Sequence, residues 1–288
     1  MPELPEVETV KRGLEELIIG RTIRRVVVHD SPKSFPNSPG DTAAFVENSN
    51  IIAVRRRAKV LMIDLSTGYT LVIHLKMTGQ LVFVGEQRFG AGHPTDSLVN
   101  KLPDRSTRVT LQLNDGGSLY FNDQRRFGWM KLLPTAEVPN MPFMQKVGPE
   151  PLEADFTRQE FAQRFARRAN TSIKAALLDQ TVVAGVGNIY ADESLWGAKI
   201  DPRRKVKDVS AKEFSLLYDK LRDVMNLAIE KGGSTDRNYV NAEGKRGSYM
   251  DFAKVFRREG QVCERCGSVI EKIKHAGRGT HFCSNCQV

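Results

Sequence analysis

Four cysteines near the C-terminal end of the chain have the spacing of a metal site. Two Cys-x2-Cys pairs are separated by sixteen residues, and the four are Cys263, Cys266, Cys283 and Cys286. Each pair turns back on itself so that both sulfurs face one tetrahedral centre, as in a two-knuckle zinc ribbon. A redox dithiol explains a single pair, but two matched pairs argue against it. The spacing therefore predicts one structural zinc ion, and we expect no organic cofactor.

The segment between the two pairs favours a hairpin whose tip carries an arginine. The tip reads His275-Ala276-Gly277-Arg278-Gly279. Glycine lets the backbone approach a DNA duplex closely, and the Arg278 guanidinium suits a phosphate or a groove. An ordinary solvated arginine in a surface turn is an equally weighted alternative on these residues alone.

The N-terminus offers a second kind of chemistry, that of a reactive amine. Initiator methionine is normally removed before a small residue, so Pro2 would carry a free secondary amine. Such an amine attacks an aldehyde-like carbon to give an iminium ion, and the reference pKa of an α-amine, about 7.7–8, lies close to neutrality. Glu3 and Glu6 could shuttle protons at the same centre. The alternative, that Pro and Glu merely begin a helix well, is favoured by composition alone.

A glycine pair at Gly185-Val186-Gly187-Asn188 resembles a nucleotide-binding loop, but a Rossmann interpretation fails. The position of a third glycine is Tyr190, and no strand precedes the motif. A tight turn between helices whose amides, with Asn188, hold a phosphate is the alternative.

Two further segments have side chains suited to a disrupted base stack. Arg125-Arg126-Phe127-Gly128 closes a β segment, and Met77 follows His74-Leu75-Lys76. A Met, an Arg and a Phe on loops can fill the gap left when a base is extruded from a duplex. Core packing is the commoner explanation for Met77 and Phe127.

The elements that must position these residues follow from periodicity. Apolar residues from Val7 to Ile18 recur at three- and four-residue steps, which predicts an amphipathic helix ending near Gly20. Short β-rich runs separated by turn signals follow up to Leu133 and predict an antiparallel sandwich or barrel. The segments 31–41 and 86–105 are predicted as loops. The β-rich runs are Ile23–Val28, Ile51–Val54, Val60–Leu65, Leu71–Leu75, Leu81–Val84, Val109–Leu113 and Leu119–Phe121.

Five prolines between 134 and 152 interrupt any regular element and predict a domain linker. Beyond it the period is helical. The predicted helices are Arg158–Arg168, Ser172–Leu178, Tyr190–Gly197 and Ala211–Lys231. The expected division is a β-rich domain at 1–133, a linker at 134–152, a helical domain at 153–240 and a zinc-ribbon module at 241–288.

Composition narrows the partner. The chain has 288 residues, a formal net charge of +9 and a pI near 9.4. This balance favours a polyanion, with nucleic acid first and an anionic membrane surface second. No apolar run approaches the roughly 20 residues that span a bilayer. The acidic N-terminus is not a secretory signal, and no cysteine remains for disulfides elsewhere, so we expect the cytoplasm.

Taken together, these motifs resemble those of the formamidopyrimidine-DNA glycosylases of the zinc-ribbon type, bacterial enzymes that remove oxidised purines such as 8-oxoguanine. The match runs from end to end. Its motifs are Pro2-Glu3-Leu4-Pro5-Glu6-Val7-Glu8-Thr9, Arg56-Arg57-Ala58-Lys59, His74-Leu75-Lys76-Met77-Thr78-Gly79, Arg125-Arg126-Phe127-Gly128, Gly148-Pro149-Glu150-Pro151, Ala184-Gly185-Val186-Gly187-Asn188-Ile189-Tyr190 and the ribbon with Ala276-Gly277-Arg278-Gly279-Thr280.

The resemblance implies an α+β multidomain fold, in which an N-terminal helix with an antiparallel β-sandwich precedes a helix–two-turns–helix domain and the zinc ribbon. It also implies catalytic roles. Pro2 is the nucleophile at C1′, and β,δ-elimination then cuts the strand. Glu3 is the general acid at the sugar ring oxygen, Glu6 supports it, and Lys59 lies near the reacting sugar and its phosphate.

The resemblance implies DNA contacts as well. Met77, Arg125 and Phe127 match residues that fill the vacated stack. Lys174, Asn188 and Arg278 match phosphate-binding positions around the lesion. Arg278 is also expected to belong to the catalytic residues. Glu193 matches an acidic residue that supports the N-terminus. The stretch from Ser234 to Tyr249 corresponds to a loop that closes over the flipped base.

One departure from the family lies at Arg105-Ser106-Thr107-Arg108, where a Lys-His-x-His run is common. Arg108 is expected to neutralise a DNA phosphate instead.

The expected partner is damaged double-stranded DNA, bound by a monomer at the bacterial nucleoid. Two alternatives differ in class: an endonuclease VIII-type enzyme for oxidised pyrimidines, against which Leu4 argues, and a non-catalytic zinc-ribbon DNA-binding protein, which leaves Pro2, Glu3 and Lys59 unexplained.

Overall fold

In the computed structural model, residues 1–29, 32–234 and 248–288 are described. The chain forms two compact units. The N-terminal unit joins Met1–Gln145 to Lys231–Ser248, and the C-terminal unit joins Lys146–Glu230 to Tyr249–Val288. Each unit is therefore built from two separate pieces of chain. Within the described ranges, no helix has the length and apolar character needed to cross a membrane.

The N-terminal unit begins with helix α1 (Leu4–Ile18), as predicted. A capping box starts it: the Glu3 N–H donates to the Glu6 carboxylate at 2.7 Å, and the Glu3 side chain accepts from the Glu6 N–H. These bonds satisfy two donors that the first turn of a helix leaves open. The apolar stripe of α1 faces the core of the unit. Its buried residues include Val7, Val10, Leu14, Leu17 and Ile18.

Nine strands of the N-terminal unit pair antiparallel in one sheet, in the order β6-β5-β8-β7-β1-β2-β3-β4-β9. The strands are β1 (Thr22–Val28), β2 (Ser49–Arg57), β3 (Val60–Leu65), β4 (Tyr69–His74), β5 (Gly79–Val84), β6 (Arg88–Gly92), β7 (Thr107–Leu113), β8 (Ser118–Asp123) and β9 (Trp129–Pro134). β1 and β2 share only two register pairs, Thr22↔Asn50 and Ile23↔Ser49, so the sheet divides there into two halves. Side chains of both halves meet α1 in one hydrophobic core. The predicted antiparallel β-sandwich is thereby confirmed.

The register brings two turns to the same end of the sheet. β5 pairs with β8 so that Gly79 faces Asp123, and β4 pairs with β9 so that His74 faces Trp129. The turn from β4 to β5 and the turn from β8 to β9 therefore run beside each other. These are the turns that carry Met77 and the Arg125–Phe127 segment.

Two segments predicted as loops contain regular structure. Helix α2 (Pro39–Phe45) begins at Ser38, whose hydroxyl accepts the Asp41 N–H at 3.0 Å. Between 86 and 105, β6 pairs with β5, and a 3-10 helix covers Asp96–Leu98. The loop prediction was wrong for both segments. The start of α2 is marked only by a single N-cap residue, and β6 is an edge strand that forms through its pairing with β5.

The proline-rich segment 134–152 contains the point where the chain passes from one unit to the other, between Gln145 and Lys146. The expectation that it lacks regular structure was wrong. A 3-10 helix covers Thr135–Asn140, and helix α3 covers Pro142–Lys146. Proline is tolerated in the first turn of a helix because the N–H that it lacks has no helical partner there. The predicted boundary between 240 and 241 lies outside the described residues.

The C-terminal unit contains all four predicted helices, with ends that differ from the prediction by at most two residues. They are α4 (Arg158–Ala166), α5 (Ile173–Leu178), α6 (Asn188–Ala198) and α7 (Ala211–Glu230). The strands β10 (Glu271–His275) and β11 (Arg278–Phe282) form the predicted hairpin. Its tip has left-handed backbone at Ala276 and Gly277, as a two-residue hairpin turn requires.

Packing of α1 against β6 depends on a glycine, which gives a test of the fold. A Cβ added at Gly13 would lie 2.1 Å from the Phe89 ring, whereas one at Gly40 in α2 meets no atom closer than 3.8 Å. We expect Gly13→Ala to lower the free energy of unfolding by about 1–3 kcal/mol through overpacking. Gly40→Ala is the matched control and should be neutral or slightly stabilising. Urea denaturation measures both; equal stabilities would contradict the packing described here.

Candidate active site and nucleic-acid interface

The N-terminus is held by one carboxylate. Pro2 is buried, and Glu3 and Glu6 are 3% and 4% exposed. Glu6 Oε2 accepts the Glu3 N–H at 2.7 Å, while Oε1 accepts the Ser234 N–H at 2.8 Å. Gly233 has a φ of +88°, and a Cβ there would lie 3.0 Å from Glu6 Cγ. Glu6 therefore fixes the residues next to the predicted nucleophile against the turn at Gly233–Ser234.

Lys59 lies in the turn between β2 and β3 and is 6% exposed. An ion pair connects this turn to the first helix: Arg56 Nε donates to Glu8 Oε2 at 2.8 Å, and Arg56 Nη1 donates to the Ala58 carbonyl at 3.0 Å. Burial raises the pKa of Glu8, but the hydrogen bond and charge of Arg56 outweigh it, and the pKa lies below its usual value. The position of Lys59 is thus tied to the helix that begins beside Pro2.

His74, for which no role was predicted, lies near Lys59, because its register partner is Val60. Its Nδ1 accepts the Lys76 N–H at 3.0 Å. Burial, together with the charges of Lys76 and Lys59, lowers the pKa of His74 to about 3. The ring is therefore neutral near pH 7, and its proton is on Nε2, which is a donor. The sequence signal that could have pointed to His74 is its position in the His74-Leu75-Lys76-Met77 motif.

The two neighbouring turns carry the predicted stack-filling residues. Phe127 is 53% exposed, and the Arg125 guanidinium lies over its ring at 4.7 Å. Met77 is partly exposed. Both turns contain left-handed non-glycine residues, Lys76 at φ +51° and Arg126 at φ +57°. For Phe127 the core-packing alternative is set aside, since a core phenylalanine would not be half exposed.

Arg108 is not where the predicted phosphate contact requires it. Its side chain is buried, with 4% exposure. Nε donates to the Asp123 carbonyl at 2.8 Å, and Nη2 donates to the Arg105 carbonyl at 3.0 Å. A guanidinium that is buried among backbone carbonyls supports the fold, because a phosphate contact needs an exposed cation. The structure therefore corrects the role expected for Arg108.

In the C-terminal unit, Asn188 bonds to Gly279, the residue that follows Arg278. Asn188 is the first residue of α6, and its Nδ2 donates to the Gly279 carbonyl at 2.9 Å. Arg278 follows the hairpin tip and is exposed. The N-terminal end of α6 carries a positive partial charge, which favours an anion beside Asn188. Phosphate binding by Asn188 and Arg278 stays a prediction.

Lys174 departs from its predicted role. It is fully buried, and its ammonium forms an ion pair with Asp192 at 2.6 Å. It also donates to Thr280 Oγ1 at 2.7 Å and to the Gly279 carbonyl at 3.2 Å. The ammonium is thus surrounded by groups of α6 and the hairpin. Lys174 therefore holds the hairpin strand on α5 and α6 and is not a surface phosphate contact in this structure.

Two buried acids complete this arrangement. Asp192 Oδ2 accepts the His281 N–H at 2.9 Å, which adds a second attachment of β11 to α6. Glu193 accepts hydrogen bonds from the Tyr249 hydroxyl and from three backbone N–H groups between 254 and 256, at 2.8–3.0 Å. Glu193 therefore organises the segment 249–256. The sequence prediction, which assigned Glu193 to support of the N-terminus, did not include these bonds.

The predicted loop from Ser234 to Tyr249 lies mostly outside the described residues, which omit 235–247. Its first residue donates to Glu6, and its last residue donates to Glu193.

The four cysteines converge as the spacing predicted. Their sulfurs all lie within 4.8 Å of one another, with Cys263 and Cys286 at 3.9 Å and Cys266 and Cys283 at 3.5 Å. A tetrahedral zinc with Zn–S bonds of about 2.3 Å needs sulfurs about 3.8 Å apart, so the four residues fit this ion. No group of His, Asp and Glu elsewhere in the described ranges offers such a set.

Trp196, near the C-terminal end of α6, contacts the cysteine cluster. Its indole N–H donates to Cys263 Sγ at 3.5 Å, and the Arg265 guanidinium lies over the indole ring at 3.9 Å. The same helix begins at Asn188. α6 thus connects the cysteine cluster to Asn188, a residue predicted to bind phosphate.

Comparison with known proteins gives three family matches that together cover most of the chain. The Formamidopyrimidine-DNA glycosylase N-terminal domain matches residues 1–130, the Formamidopyrimidine-DNA glycosylase H2TH domain matches 147–239, and the zinc finger found in FPG and IleRS matches 260–288. The formamidopyrimidine-DNA glycosylase of Desulforamulus reducens is 42% identical over 290 residues, covering 100% of this chain and 99% of that protein.

Solved structures are similar over the whole chain. One is a complex of the Lactococcus lactis Fpg with DNA containing an abasic site, at 35% identity and a TM-score of 0.86, covering 99% of both chains. Another is a variant of the L. lactis protein with DNA containing Fapy-dG, at 35% identity and a TM-score of 0.87, with the same coverage.

The metal site and Trp196 give a direct test. We expect one zinc per chain by metal analysis. In a Trp129→Phe background Trp196 is the sole tryptophan, and removing zinc with a chelator should change its fluorescence because its N–H partner is a metal ligand. The Trp196→Phe variant, which keeps Trp129, is the control and should not respond. Metal-free protein that binds DNA undiminished would contradict a structural zinc.

His74 gives a prediction for acid stability. Its folded pKa of about 3 lies below the unfolded value of 6.5, so the unfolded chain binds an extra proton between these values. Stability should therefore fall as the pH drops below 6.5, with up to about 1.4 kcal/mol per pH unit arising from His74. His74→Asn keeps an acceptor for Lys76 and cannot be charged, so its decline should be shallower. Parallel curves in denaturant titrations from pH 7 to 4 would refute this.

Proposed function

The chain belongs to the formamidopyrimidine-DNA glycosylase family, and from this we propose that Pro2 is the nucleophile with which it excises oxidised purines. The protein is a bifunctional DNA glycosylase and AP lyase of base excision repair, and its partner is damaged DNA. The observation that best supports the assignment is the buried Pro2-Glu3 terminus with Glu6 bonded to it.

The proposed reaction begins when the Pro2 nitrogen uses its lone pair to bond C1′ of the damaged nucleotide. The bond from C1′ to the base breaks, and the base leaves with a proton. Glu3 donates a proton to the sugar ring oxygen, so the ring opens and an iminium ion remains on C1′. Loss of a proton from C2′ expels the 3′ phosphate, and a second elimination expels the 5′ phosphate. Water then hydrolyses the iminium ion and releases Pro2.

The protonation state of Pro2 follows from opposing effects. The positive end of the α1 dipole lowers the pKa of an amine at this position, while the carboxylates of Glu3 and Glu6 raise it. Removal of Met1 is required, because a peptide nitrogen has no lone pair available for attack. Lys59 is proposed to contact the reacting sugar and its phosphate, and the Arg56–Glu8 pair supports its turn.

Two groups of residues are proposed to hold the DNA. Phe127, Arg125 and Met77 on the neighbouring turns enter the stack vacated by the extruded base, since an exposed aromatic ring and a guanidinium can stack on bases. Asn188 and Arg278 bind phosphates in the C-terminal unit. Zinc, when bound, supplies structural support to the hairpin that carries Arg278.

We also infer the cellular setting from the substrate. An enzyme that acts on chromosomal lesions works at the bacterial nucleoid, in the cytoplasm. A monomer remains the predicted state. The division into catalytic, helical and zinc-ribbon segments at 1–133, 153–240 and 241–288 remains a functional proposal.

Trapping with borohydride tests the nucleophile. We expect purified protein to nick an 8-oxoguanine:C duplex and, with borohydride, to form a covalent adduct that mass spectrometry maps to Pro2. A chain with one glycine added before Pro2 is the matched control, because the proline nitrogen becomes an amide and should form no adduct at Pro2. An adduct that maps to a lysine, or none despite removal of Met1, would overturn the proposal.

Substrate class needs a separate comparison under the same trapping conditions. The duplexes contain oxidised guanine, formamidopyrimidine, dihydrothymine or thymine glycol. We expect the duplexes with purine lesions to react faster than those with pyrimidine lesions. A much faster reaction with the oxidised pyrimidines would favour the endonuclease VIII-type activity, and DNA binding with no reaction would favour a non-catalytic protein.

A further inference from the structure

Asp123, at the end of β8, is a buried carboxylate to which the mechanism gives no role. Its side chain is 0% exposed. It lies at the base of the turn that carries Arg125 and Phe127, and its register partner, Gly79, ends the turn that carries Met77. A buried carboxylate is costly unless hydrogen bonds satisfy it, so its partners indicate what it stabilises.

Those partners come from both turns. Asp123 Oδ2 accepts the Gly128 N–H at 2.6 Å, and Oδ1 accepts the Arg125 N–H at 3.2 Å. Oδ1 also accepts the hydroxyl of Thr78, the residue after Met77. Thr78 Oγ1 in turn accepts the Arg125 N–H at 3.0 Å. One carboxylate therefore joins the β4–β5 turn to the β8–β9 turn.

The bonds to Asp123 enclose the strained part of its turn. Arg126 has left-handed backbone at φ +57°. Arg125, just before it, and Gly128, two residues after it, supply the two N–H groups that the carboxylate accepts. A non-glycine residue in this conformation persists only where its surroundings hold it. At Gly128 a Cβ would lie 3.1 Å from Asp123 Oδ2 and 2.9 Å from the Phe121 ring, so the turn fits closely around the acid.

Arg108 belongs to the same support. Its Nε donates to the Asp123 carbonyl at 2.8 Å. Arg108, which lies where the chain departs from the family pattern, therefore fixes the backbone of Asp123. The Asp123 N–H donates to the Ser106 carbonyl at 2.8 Å. Both main-chain groups of Asp123 are thus held from the 105–108 segment.

We propose that Asp123 is a positioning residue that couples the Met77 turn to the Arg125–Phe127 turn, so that both enter the DNA stack in a fixed relation. The proposal rests on the stack-filling role given to these turns under the proposed function. Three donors bond to the two carboxylate oxygens of Asp123. An asparagine cannot replace the acid, because its amide group has only one acceptor oxygen.

The test compares Asp123→Asn with Asp64→Asn. Asp64 is a buried acid of β3, 8% exposed, bonded to Arg55 Nη2 and Thr70 Oγ1 at 2.8 Å each. Within the described residues its hydrogen bonds go to these two sheet residues and not to either turn. Each variant is assayed for excision of 8-oxoguanine opposite C and for cleavage of a single-stranded abasic oligonucleotide, which has no opposite base or duplex stack to fill.

We expect Asp123→Asn to slow 8-oxoguanine excision about tenfold or more and abasic-strand cleavage only about twofold, since small misplacements of positioning groups cost large factors in rate. Asp64→Asn should change the ratio of the two rates little. A 2-aminopurine placed opposite the lesion should brighten when wild-type protein unstacks it and brighten less with Asp123→Asn. An unchanged rate ratio and an unchanged 2-aminopurine signal would overturn the proposal.

A second pair of variants applies if Asp123→Asn does not fold. Thr78→Val removes the hydroxyl that donates to Asp123, and Thr78→Ser keeps it. The valine variant should lower the same rate ratio and the serine variant should restore it; equal ratios would overturn the proposal. Wild-type protein that excises no oxidised purine would refute the proposed function instead, which separates the two failures.

Discussion

Pro2, the proposed nucleophile, is joined to the rest of the protein by a single peptide bond once Met1 is removed, and contacts within the N-terminal unit compensate for this. Position must come from non-covalent contacts on the next few residues. The capping box between Glu3 and Glu6 fixes the first turn of α1, and Gly13 lets that helix approach the Phe89 ring of β6. The Arg56–Glu8 ion pair then ties the turn of Lys59 to the same helix.

Buried carboxylates perform comparable tasks at several places. Glu6 joins the N-terminus to Ser234, Asp123 joins the two stacking turns, and Glu193 gathers the N–H groups of 254–256. Each acid accepts backbone donors that irregular chain leaves unsatisfied. A charged acceptor forms stronger hydrogen bonds than a neutral one, so one side chain can define a turn. This explains how irregular turns keep a defined backbone.

The C-terminal unit uses charge and metal for a similar purpose. The hairpin between the cysteine pairs is short and buries few apolar side chains, and it is fixed at one end by the cysteine cluster and at the other by Lys174 and Asp192. A buried ion pair of this kind specifies one arrangement of its partners, because leaving either charge alone would be costly. Arg278 and Asn188 are thereby held near one another through the Gly279 carbonyl.

The sequence by itself determined the zinc ligands, the first helix, most strands, the helices of the second unit and the family, because each depends on spacing within a short stretch of chain. Only the tertiary structure decided which charged residues are exposed and which are buried. Arg108 and Lys174 carry the charge expected of phosphate contacts, yet both are buried, since their partners lie in β8 and in a hairpin more than a hundred residues away from Lys174. The neutral state of His74 and the role of Asp123 likewise depend on neighbours that only folding brings together. Periodicity records which face of an element is apolar, but it does not record which distant group a buried charge will meet.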